Sequence, residues 1–356
     1  MNLPKRLSTY GTISTELSSL SDQRLVELLS QATPLGKGIG GTVVSMEICG
    51  TQVFAKKVRG LTDLERRKEN YMSTENLFKL PTYCQYGLSG IGSPGFGAWR
   101  ELSAQIISTN WVINDECPNF PLMYHWRILP RNPPTSLTPE DHMYIEDSVN
   151  YWDGSSAVRT TLEAMYEASA EIVLFLEYIP QTLHKWFVDQ IVLGSDAASS
   201  AVKMVERNLH ATTSFMKSRS FLHFDAHFNN ILTDGQSVYF ADFGLALCSS
   251  FSLSKSKLEF FEIHRNYDRY YTLTNFVHWL GTTVFGAKNC NLVLQEYAAG
   301  KATRALQPPI EEVLRKYAPV AIAMKNFFQK FQTESRAAQL PVEELEHACA
   351  ASAGYC

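Results

Sequence analysis

Residues 223–244 read HFDAHFNNILTDGQSVYFADFG, and this stretch decides how the rest of the chain is interpreted. The pair Asp234-Gly235 is a strong turn signal between two short runs of β-forming residues, 231–233 and 237–240. The spacing therefore predicts a β-hairpin, with polar residues before its first strand and after its second.

Three oxygen-bearing side chains flank this predicted hairpin. Asp225 and Asn230 precede its first strand, and Asp242 follows its second strand. Because the two outer ends of a hairpin lie side by side, we expect the three side chains to converge at one edge. Carboxylate and amide oxygens are the ligands that Mg²⁺ prefers, and a carboxylate also accepts the proton of a reacting hydroxyl group. These residues are therefore the first candidates for a catalytic site.

A glycine-rich segment near the start of the chain matches the pattern G-x-G-x-x-G-x-V. Its members are Gly36, Gly38, Gly41 and Val43. A dinucleotide-binding fold requires a helix after the last glycine, whereas residues 42–48 alternate like a strand. A P-loop requires a lysine before its Ser or Thr, and that lysine is absent. Two interpretations remain: a hairpin whose backbone approaches phosphate groups, or an ordinary glycine-containing turn, which the pattern alone favours.

Lys56 ends a predicted strand, fifteen residues after Gly41. At this spacing a lysine reaches back under the glycine-rich hairpin towards α- and β-phosphates. Because side chains alternate along a strand, Lys57 is expected to point to the opposite face. A solvated lysine at a strand end is the alternative interpretation.

Together these features resemble the protein-kinase-like superfamily, over roughly residues 35–280. Residues 223–230 match H-x-D-x-x-x-x-N and residues 242–244 are D-F-G, in the order and separation of that family. The pattern H-x-D-x-H-x-x-N is similar to the catalytic loop of aminoglycoside- and choline-kinase-like phosphotransferases. His227 then stands where protein kinases have a lysine, and the resemblance makes it a candidate catalytic residue. Capping or orienting the loop is its alternative role.

The resemblance implies a role for each candidate residue. The glycine-rich segment would cover the phosphates of ATP, and Lys56 would pair with them and with an acidic residue. Asp225 would accept or orient the proton of the attacking hydroxyl, while Asn230 and Asp242 would bind Mg²⁺. The residues that would supply backbone groups to the adenine ring are Glu177, Tyr178 and Ile179.

Two acidic residues compete as the partner of Lys56. Glu101 is favoured, because residues 99–111 are predicted to form the helix that leads into the next strand. Glu75 is the rival, because its separation from Lys56 is closer to the usual protein-kinase spacing.

Two departures from the family pattern concern the acceptor. Phe224 replaces an arginine that binds an activation-loop phosphate in many protein kinases, so we expect no control by that route. No A-P-E sequence follows Gly244, which favours a small molecule or an unusual polypeptide as the acceptor. The intact D-F-G and glycine-rich motifs instead favour a Ser/Thr kinase-like activity. The acceptor therefore stays open between a protein hydroxyl, a metabolite or antibiotic, and a peptide natural product.

A nucleotide-binding scaffold without catalysis is the alternative class. Such pseudokinases generally lack the lysine, the catalytic aspartate or the metal-binding aspartate, and this chain has Lys56, Asp225 and Asp242. We therefore expect a phosphotransferase that uses ATP and Mg²⁺ and moves the γ-phosphoryl group to a hydroxyl. Asp268 either braces the catalytic loop or supplies a charge at the start of its own helix, and the sequence favours the latter.

The predicted elements are typical of an α+β protein with the two lobes of a protein kinase, the first rich in strands and the second mainly helical. Residues 1–32 would form an N-terminal helical extension, with one amphipathic helix recognised within residues 19–31. Residues 33–179 would form the first lobe, with a five-stranded sheet, a helix and a helical insert at about residues 130–170. Residues 180–356 would form the helical second lobe, which carries the catalytic loop and the D-F-G motif. Within it a buried helical stripe is predicted from the spacing of Val202, Val205, Leu209 and Met216.

Composition excludes several other classes. The chain of 356 residues has a net charge of −4, which provides no general attraction for nucleic acid or anionic lipid. Its seven cysteines include no C-x-x-C pair, and the start of the chain lacks the apolar segment of a secretory signal. The uncharged residues around 270–287 are too polar for a bilayer-spanning helix and predict a core helix. We therefore expect a cytoplasmic protein with neither nucleic-acid nor membrane partners.

Overall fold

The computed structural model describes residues 2–38, 41–87, 91–302 and 306–351. Part of the glycine-rich segment, Ile39 and Gly40, and the terminal Cys356 lie outside the described residues. The protein is of the α+β class, with a small antiparallel sheet of five strands and a majority of helical residues. It divides into two compact units, Met1–Ile179 with Asp242–Leu258, and Pro180–Ala241 with Glu259–Cys356.

The chain forms thirteen α-helices and ten β-strands over the described residues. They are α1 (Leu3–Ser19), α2 (Asp22–Gln31), β1 (Thr33–Gly38), β2 (Gly41–Ile48), β3 (Thr51–Val58), α3 (Asp63–Arg66), α4 (Ala98–Ile113), β4 (Met123–Pro130), α5 (Pro139–Tyr151), α6 (Ser156–Glu167), β5 (Ala170–Glu177), β6 (Gln181–Thr182), α7 (Leu183–Leu193), α8 (Ser195–Ser218), β7 (Phe221–Leu222), β8 (Ile231–Thr233), β9 (Val238–Phe240), β10 (Leu247–Cys248), α9 (Lys255–Ile263), α10 (Tyr267–Phe285), α11 (Ala287–Ala298), α12 (Pro308–Thr333) and α13 (Val342–Ala351). Short 3₁₀ turns occur at Lys68–Asn70 and Thr82–Gln85.

The sheet of the first unit has the strand order β1-β2-β3-β5-β4, with every pair antiparallel. One of its faces packs on α4, where Trp99 and Leu102 meet Ile172 and Leu174 of β5 in a buried cluster. The predicted five-stranded sheet and its helix are confirmed. Burial of this apolar face is what holds α4 against the sheet.

Gly41 permits a close approach between strands. Its φ is +136°, and a Cβ placed there would lie 1.9 Å from the carbonyl oxygen of Lys57 on β3. A larger residue would therefore push β2 and β3 apart. The close packing of β2 on β3 therefore explains why glycine is needed at position 41, whether or not a ligand binds there.

The N-terminal extension is an integral layer of the first unit. Ile13 and Leu17 of α1 and Leu25 and Leu29 of α2 are buried, and α1 packs on β4. Ser21 caps α2 by accepting the N–H of Arg24. Helix α1 was not recognised from the sequence because its apolar residues are few and its exposed face carries mainly hydroxyl groups, with Lys5 and Glu16 as exposed charges.

The insert forms two helices, α5 and α6, as predicted. Its Trp152 is fully buried, and Nε1 donates to the carbonyl of Gly92. The Tyr144 hydroxyl accepts from Arg59. These contacts pack Tyr144 and Trp152 of the insert within the first unit.

The second unit is mainly helical. Helix α8 buries the predicted stripe of Val202, Val205, Leu209 and Met216, and α10 packs against α11 and α12. Strands β8 and β9 form the predicted hairpin, joined by β6 in a small sheet. Within the described residues, no helix has the length and apolar character needed to cross a bilayer.

The observed division differs from the predicted one after residue 241. The chain passes between units at Ile179 and Pro180, but Asp242–Leu258 groups with the first unit. Gln85 donates to the carbonyl of Leu245, and the Ser252 N–H donates to Thr74. These long-range hydrogen bonds tie the segment to the first unit although it follows the second unit's hairpin in sequence.

Candidate functional site

Lys56 occupies the middle of the sheet. Gly36, Val43 and Lys56 are successive partners across β1, β2 and β3, so the glycine-rich segment and the lysine share one row. Directly opposed residues place their side chains on the same face, which puts Val43 beside Lys56. Lys57 turns to the other face and pairs with Glu171 at 3.4 Å, as strand alternation predicts.

The Lys56 ammonium group is buried between two carboxylates. Its Nζ lies 2.7 Å from Glu101 Oε1 and 2.8 Å from Asp242 Oδ1, and the lysine is only 5% exposed. Glu75 is an exposed residue of the segment before α4. The favoured partner, Glu101, is therefore confirmed, and the solvated-lysine alternative is wrong.

The two carboxylates keep Lys56 charged. Burial alone would lower the pKa of Lys56, but Asp242 and Glu101 outweigh that effect and raise it above its usual value. At neutral pH the site therefore holds a fixed positive charge within an otherwise apolar sheet. Such a charge is stable there only because both carboxylates remain within hydrogen-bonding distance.

Asp242 differs from Glu101 in being reachable from solvent. Its side chain is 40% exposed, whereas that of Glu101 is buried. The backbone of Asp242 has a φ of +67°, an uncommon conformation for a residue with a side chain. The next residue, Phe243, is buried 6.3 Å from the ring of Phe120. The phenylalanine thus anchors a segment whose aspartate faces outward.

Glu65 holds the N-terminus of α4, the helix that carries Glu101. Its Oε1 accepts the N–H of Ala98 at 2.8 Å, and its backbone carbonyl accepts from Trp99 Nε1. The other oxygen, Oε2, accepts from the backbone N–H and the hydroxyl of Thr62. This residue was missed, although the pattern Thr62-x-x-Glu65 is a capping-box signal in the sequence.

The second unit carries the predicted catalytic loop. Asn230 Nδ2 donates to both the carboxylate and the carbonyl of Asp225, each at 3.1 Å. These bonds fix the carboxylate and leave the amide oxygen of Asn230 as its acceptor atom. The two residues that the sequence placed together before the hairpin do lie together.

His227 orients this loop. Its Nδ1 accepts the N–H of Asn230, so a neutral ring carries its proton on Nε2. That nitrogen lies 3.8 Å from Asp225 Oδ1. The geometry therefore supports the orienting role that the sequence left as an alternative, and it places a second polar group beside Asp225.

Asp268 lies in the first turn of α10, as the sequence favoured, and it also braces the predicted catalytic loop. Its two carboxylate oxygens accept the backbone N–H groups of His223 at 2.6 Å and Phe224 at 2.8 Å. Phe224 has a φ of +64°, which these bonds help to hold. Burial raises the pKa of Asp268 to about 6, although both hydrogen bonds act to lower it. The tertiary fold, which brings α10 to the loop, decided this contact.

The predicted adenine segment, residues 177–179, begins at the end of β5. The sheet ladder ends at Glu177, so the backbone groups of Tyr178 and Ile179 lie beyond it. The Glu177 carboxylate is buried and accepts from Arg6 of α1. Arg6 was not recognised from the sequence, because a lone arginine in an unrecognised helix carries no signal of a distant partner.

Asp242 in the first unit and Asn230 in the second each offer an oxygen donor to a divalent cation. No group of three or more His, Cys, Asp or Glu side chains able to hold a metal occurs among the described parts of the chain. Mg²⁺ is commonly bound by one or two protein oxygens together with nucleotide phosphates and water. The Asp242 carboxylate and the Asn230 amide oxygen are donors of that kind.

The candidate residues divide between the two units. Lys56, Glu101 and Asp242 belong to the first, and Asp225 and Asn230 to the second. The expected convergence of Asp242 with the other two therefore stays a prediction. The sequence matches no protein-family model, and no curated protein matches it.

Proposed function

We propose that this chain is a phosphotransferase of the bilobal protein-kinase-like class, which moves the γ-phosphoryl group of ATP to a hydroxyl. The observation that carries the proposal is the buried Lys56 between Glu101 and Asp242. A structural ion pair needs one acid, whereas here a second, exposed carboxylate shares the ammonium group. This arrangement suits a lysine that binds phosphate oxygens while the exposed aspartate binds their cation.

The chain's own residues would perform the reaction by positioning and charge. Lys56 would hold phosphate oxygens, with Glu101 fixing its direction, and Asp225 would take the proton of the acceptor hydroxyl. As that oxygen bonds to phosphorus, the bond between phosphorus and the bridging oxygen to the β-phosphate breaks, and ADP leaves. Mg²⁺, when bound by Asp242 and Asn230, would neutralise charge on the transferred group.

Several details of the proposal rest on the sequence motifs. A Ser/Thr kinase-like acceptor is favoured by the intact D-F-G at residues 242–244, and a metabolite or antibiotic is the second candidate, favoured by the H-x-D-x-H loop. An odd number of cysteines without C-x-x-C pairs supports a cytoplasmic location. A pseudokinase scaffold would bind nucleotide without turning it over.

The test is phosphoryl transfer from ATP with Mg²⁺ to a mixed panel of peptides and metabolites. Asp225→Asn keeps the size of the side chain but removes the proton acceptor, so we expect turnover to fall by about 10²- to 10⁴-fold. Asp189→Asn, on the exposed face of α7, is the matched control and should retain wild-type turnover. Equal activity in wild type and Asp225→Asn would remove Asp225 from the mechanism.

A second pair of variants tests the lysine site. Glu101→Gln removes the buried charge beside Lys56 and is expected to lower turnover by about 10²-fold through loss of a preorganised group. Glu75→Gln, the rival of the sequence interpretation, should leave turnover unchanged because Glu75 is exposed and away from the ion pair. A larger loss in Glu75→Gln would overturn the assigned pairing.

A further inference from the structure

Arg6 of α1 is almost completely buried, at 4% exposure, and all three of its guanidinium nitrogens have acceptors. Nε and Nη2 donate to the Glu177 carboxylate at 2.9 and 2.8 Å. Nη1 donates to the carbonyl of Pro118 at 2.7 Å, and Nη2 also donates to that of Phe120 at 2.6 Å. A lysine has one nitrogen and cannot reproduce this planar set of bonds.

The partner of Arg6 stands directly before the adenine segment. Glu177 Oε2 also accepts the N–H of Leu122, and the Glu177 N–H donates to the Leu122 carbonyl at 2.8 Å. Glu177 is therefore bound on its backbone and on its side chain to Leu122, the residue just before β4, the edge strand next to β5. Its carboxylate is also held by Arg6. Tyr178 and Ile179 follow it without an intervening residue.

The extension has a second anchor that does not involve Glu177. Arg127 of β4 donates to Asp22 Oδ1 at 2.7 Å and to the carbonyl of Leu20. Arg127 pairs in register with Val173, four residues before Glu177 on β5. Breaking this contact loosens the same extension at another place, which makes it a matched control for Arg6.

We propose that Arg6 is a positioning residue for nucleotide binding, through which α1 sets the backbone of Tyr178 and Ile179. This inference rests on the proposed function. Arg6 touches no reacting group and acts only through Glu177. Since Arg6 fixes the start of the adenine segment before ligand arrives, ATP binds without first having to order that segment. Reciprocally, bound nucleotide should hold α1 more firmly against the sheet.

The test uses the full chain in four forms: wild type, Arg6→Met, Arg6→Lys and Asp22→Asn. Hydrogen exchange without nucleotide should be faster at residues 177–179 in Arg6→Met and unchanged there in Asp22→Asn. The dissociation constant and KM for ATP with Mg²⁺ should rise about tenfold in Arg6→Met, within the usual range of coupling between sites, with kcat retained. Arg6→Lys keeps the charge for Glu177 and should give an intermediate exchange rate and KM.

Two negative outcomes are distinguishable. In the first, wild type binds ATP, but both Arg6 variants match Asp22→Asn in hydrogen exchange at residues 177–179 and in KM. The positioning role is then overturned, and the proposed function stands. If wild type binds no nucleotide in any form, both are overturned. Should Arg6→Met fail to fold, Arg6→Lys alone decides, because it preserves the buried positive charge.

Discussion

Lys56 shows how a single buried charge is made compatible with an apolar sheet. An isolated ammonium group in this position would cost several kcal/mol of hydration free energy. Glu101 offsets that cost from within the core, and Asp242 offsets it from the solvent side. Because the Asp242 carboxylate is exposed, it can bind another cation in place of Lys56, or an anion can bind Lys56 beside it. A fully buried ion pair can do neither.

Asp268 is the residue whose titration should be visible in stability. Its pKa of about 6 in the folded protein exceeds the value near 4 of an unfolded chain, so the fold binds this proton more tightly. Protonation of Asp268 therefore adds about 3 kcal/mol to the free energy of unfolding below about pH 4. That contribution is lost as the pH rises through 6.

The Asp268→Asn variant tests this linkage. The amide has only one acceptor oxygen for the two N–H groups of His223 and Phe224, so the variant is expected to be less stable by about 1–3 kcal/mol. Denaturant unfolding at pH 4.5 and 7 should show a larger deficit relative to wild type at the lower pH. Parallel pH curves for the two proteins would contradict the assigned pKa, and Asp189→Asn is the control for loss of an exposed carboxylate.

At the scale of elements, the N-terminus of α4 depends on a residue from outside the helix. Gly97 precedes α4 with a φ of +111°, and a Cβ there would lie 3.0 Å from Glu65 Oε1. The glycine and the glutamate therefore form one cap, in which the carboxylate accepts the first N–H of the helix, that of Ala98, and suits the positive end of the helix dipole. The position of Glu101, in the first turn, follows from this cap.

Glu65→Gln should weaken both the helix and the site that it carries. The amide nitrogen cannot accept a hydrogen bond, so either the Ala98 or the Thr62 donor loses its acceptor, at a cost of about 1–3 kcal/mol. Denaturant unfolding measures this loss, and hydrogen exchange at residues 98–101 should accelerate. Asp63→Asn changes an exposed carboxylate in the same short helix and should do neither. Equal effects of the two substitutions would show that the cap does not order α4.

The predicted catalytic loop and its hairpin illustrate how local and distant contacts combine. Asp234 accepts the N–H groups of Gln236 and Ser237, so the turn between β8 and β9 is specified by adjacent residues. His223 combines both kinds of contact. Its Nδ1 accepts the N–H of Asp225, two residues on, and its Nε2 bonds to the more distant carbonyl of Ala241. The loop conformation is thus set partly by the turn and partly by the strand that returns from it.

For the molecule as a whole, nucleotide binding should appear as added stability. A ligand that binds only the folded state stabilises it by about 2.7 kcal/mol at one hundred times its dissociation constant. We expect ATP with Mg²⁺ to raise the melting temperature, and a chelator to remove most of that rise, because the cation and the phosphates bind together.

Two neighbouring lysines make this prediction specific. Lys56→Met should abolish the shift, whereas Lys57→Met, on the opposite face of the same strand, should keep it. Each variant is compared with its own nucleotide-free melting temperature, since loss of Lys56 also changes the stability of the unbound protein. A full shift in Lys56→Met would contradict a phosphate-binding role for the lysine.

The sequence alone determined the features that depend on neighbours along the chain. The β8–β9 hairpin, the burial stripe of α8 and the opposite faces of Lys56 and Lys57 follow from turn chemistry and from helical or strand periodicity. For the partner of Lys56 the sequence only favoured Glu101 over Glu75, and the packing of α4 on the sheet decided between them. The closeness of Asp225 and Asn230 needed only a tight loop.

Only the tertiary structure decided the contacts between segments far apart in sequence. Arg6 meets Glu177 across 171 positions, and Asp268 meets the loop at His223 across 45. Neither contact leaves a periodic or local trace, because a buried charge takes whichever partner the packing of apolar faces brings within reach. Long-range packing also placed Asp242–Leu258 in the first unit, where hydrogen bonds to Gln85 and Thr74 outweigh its position in the chain.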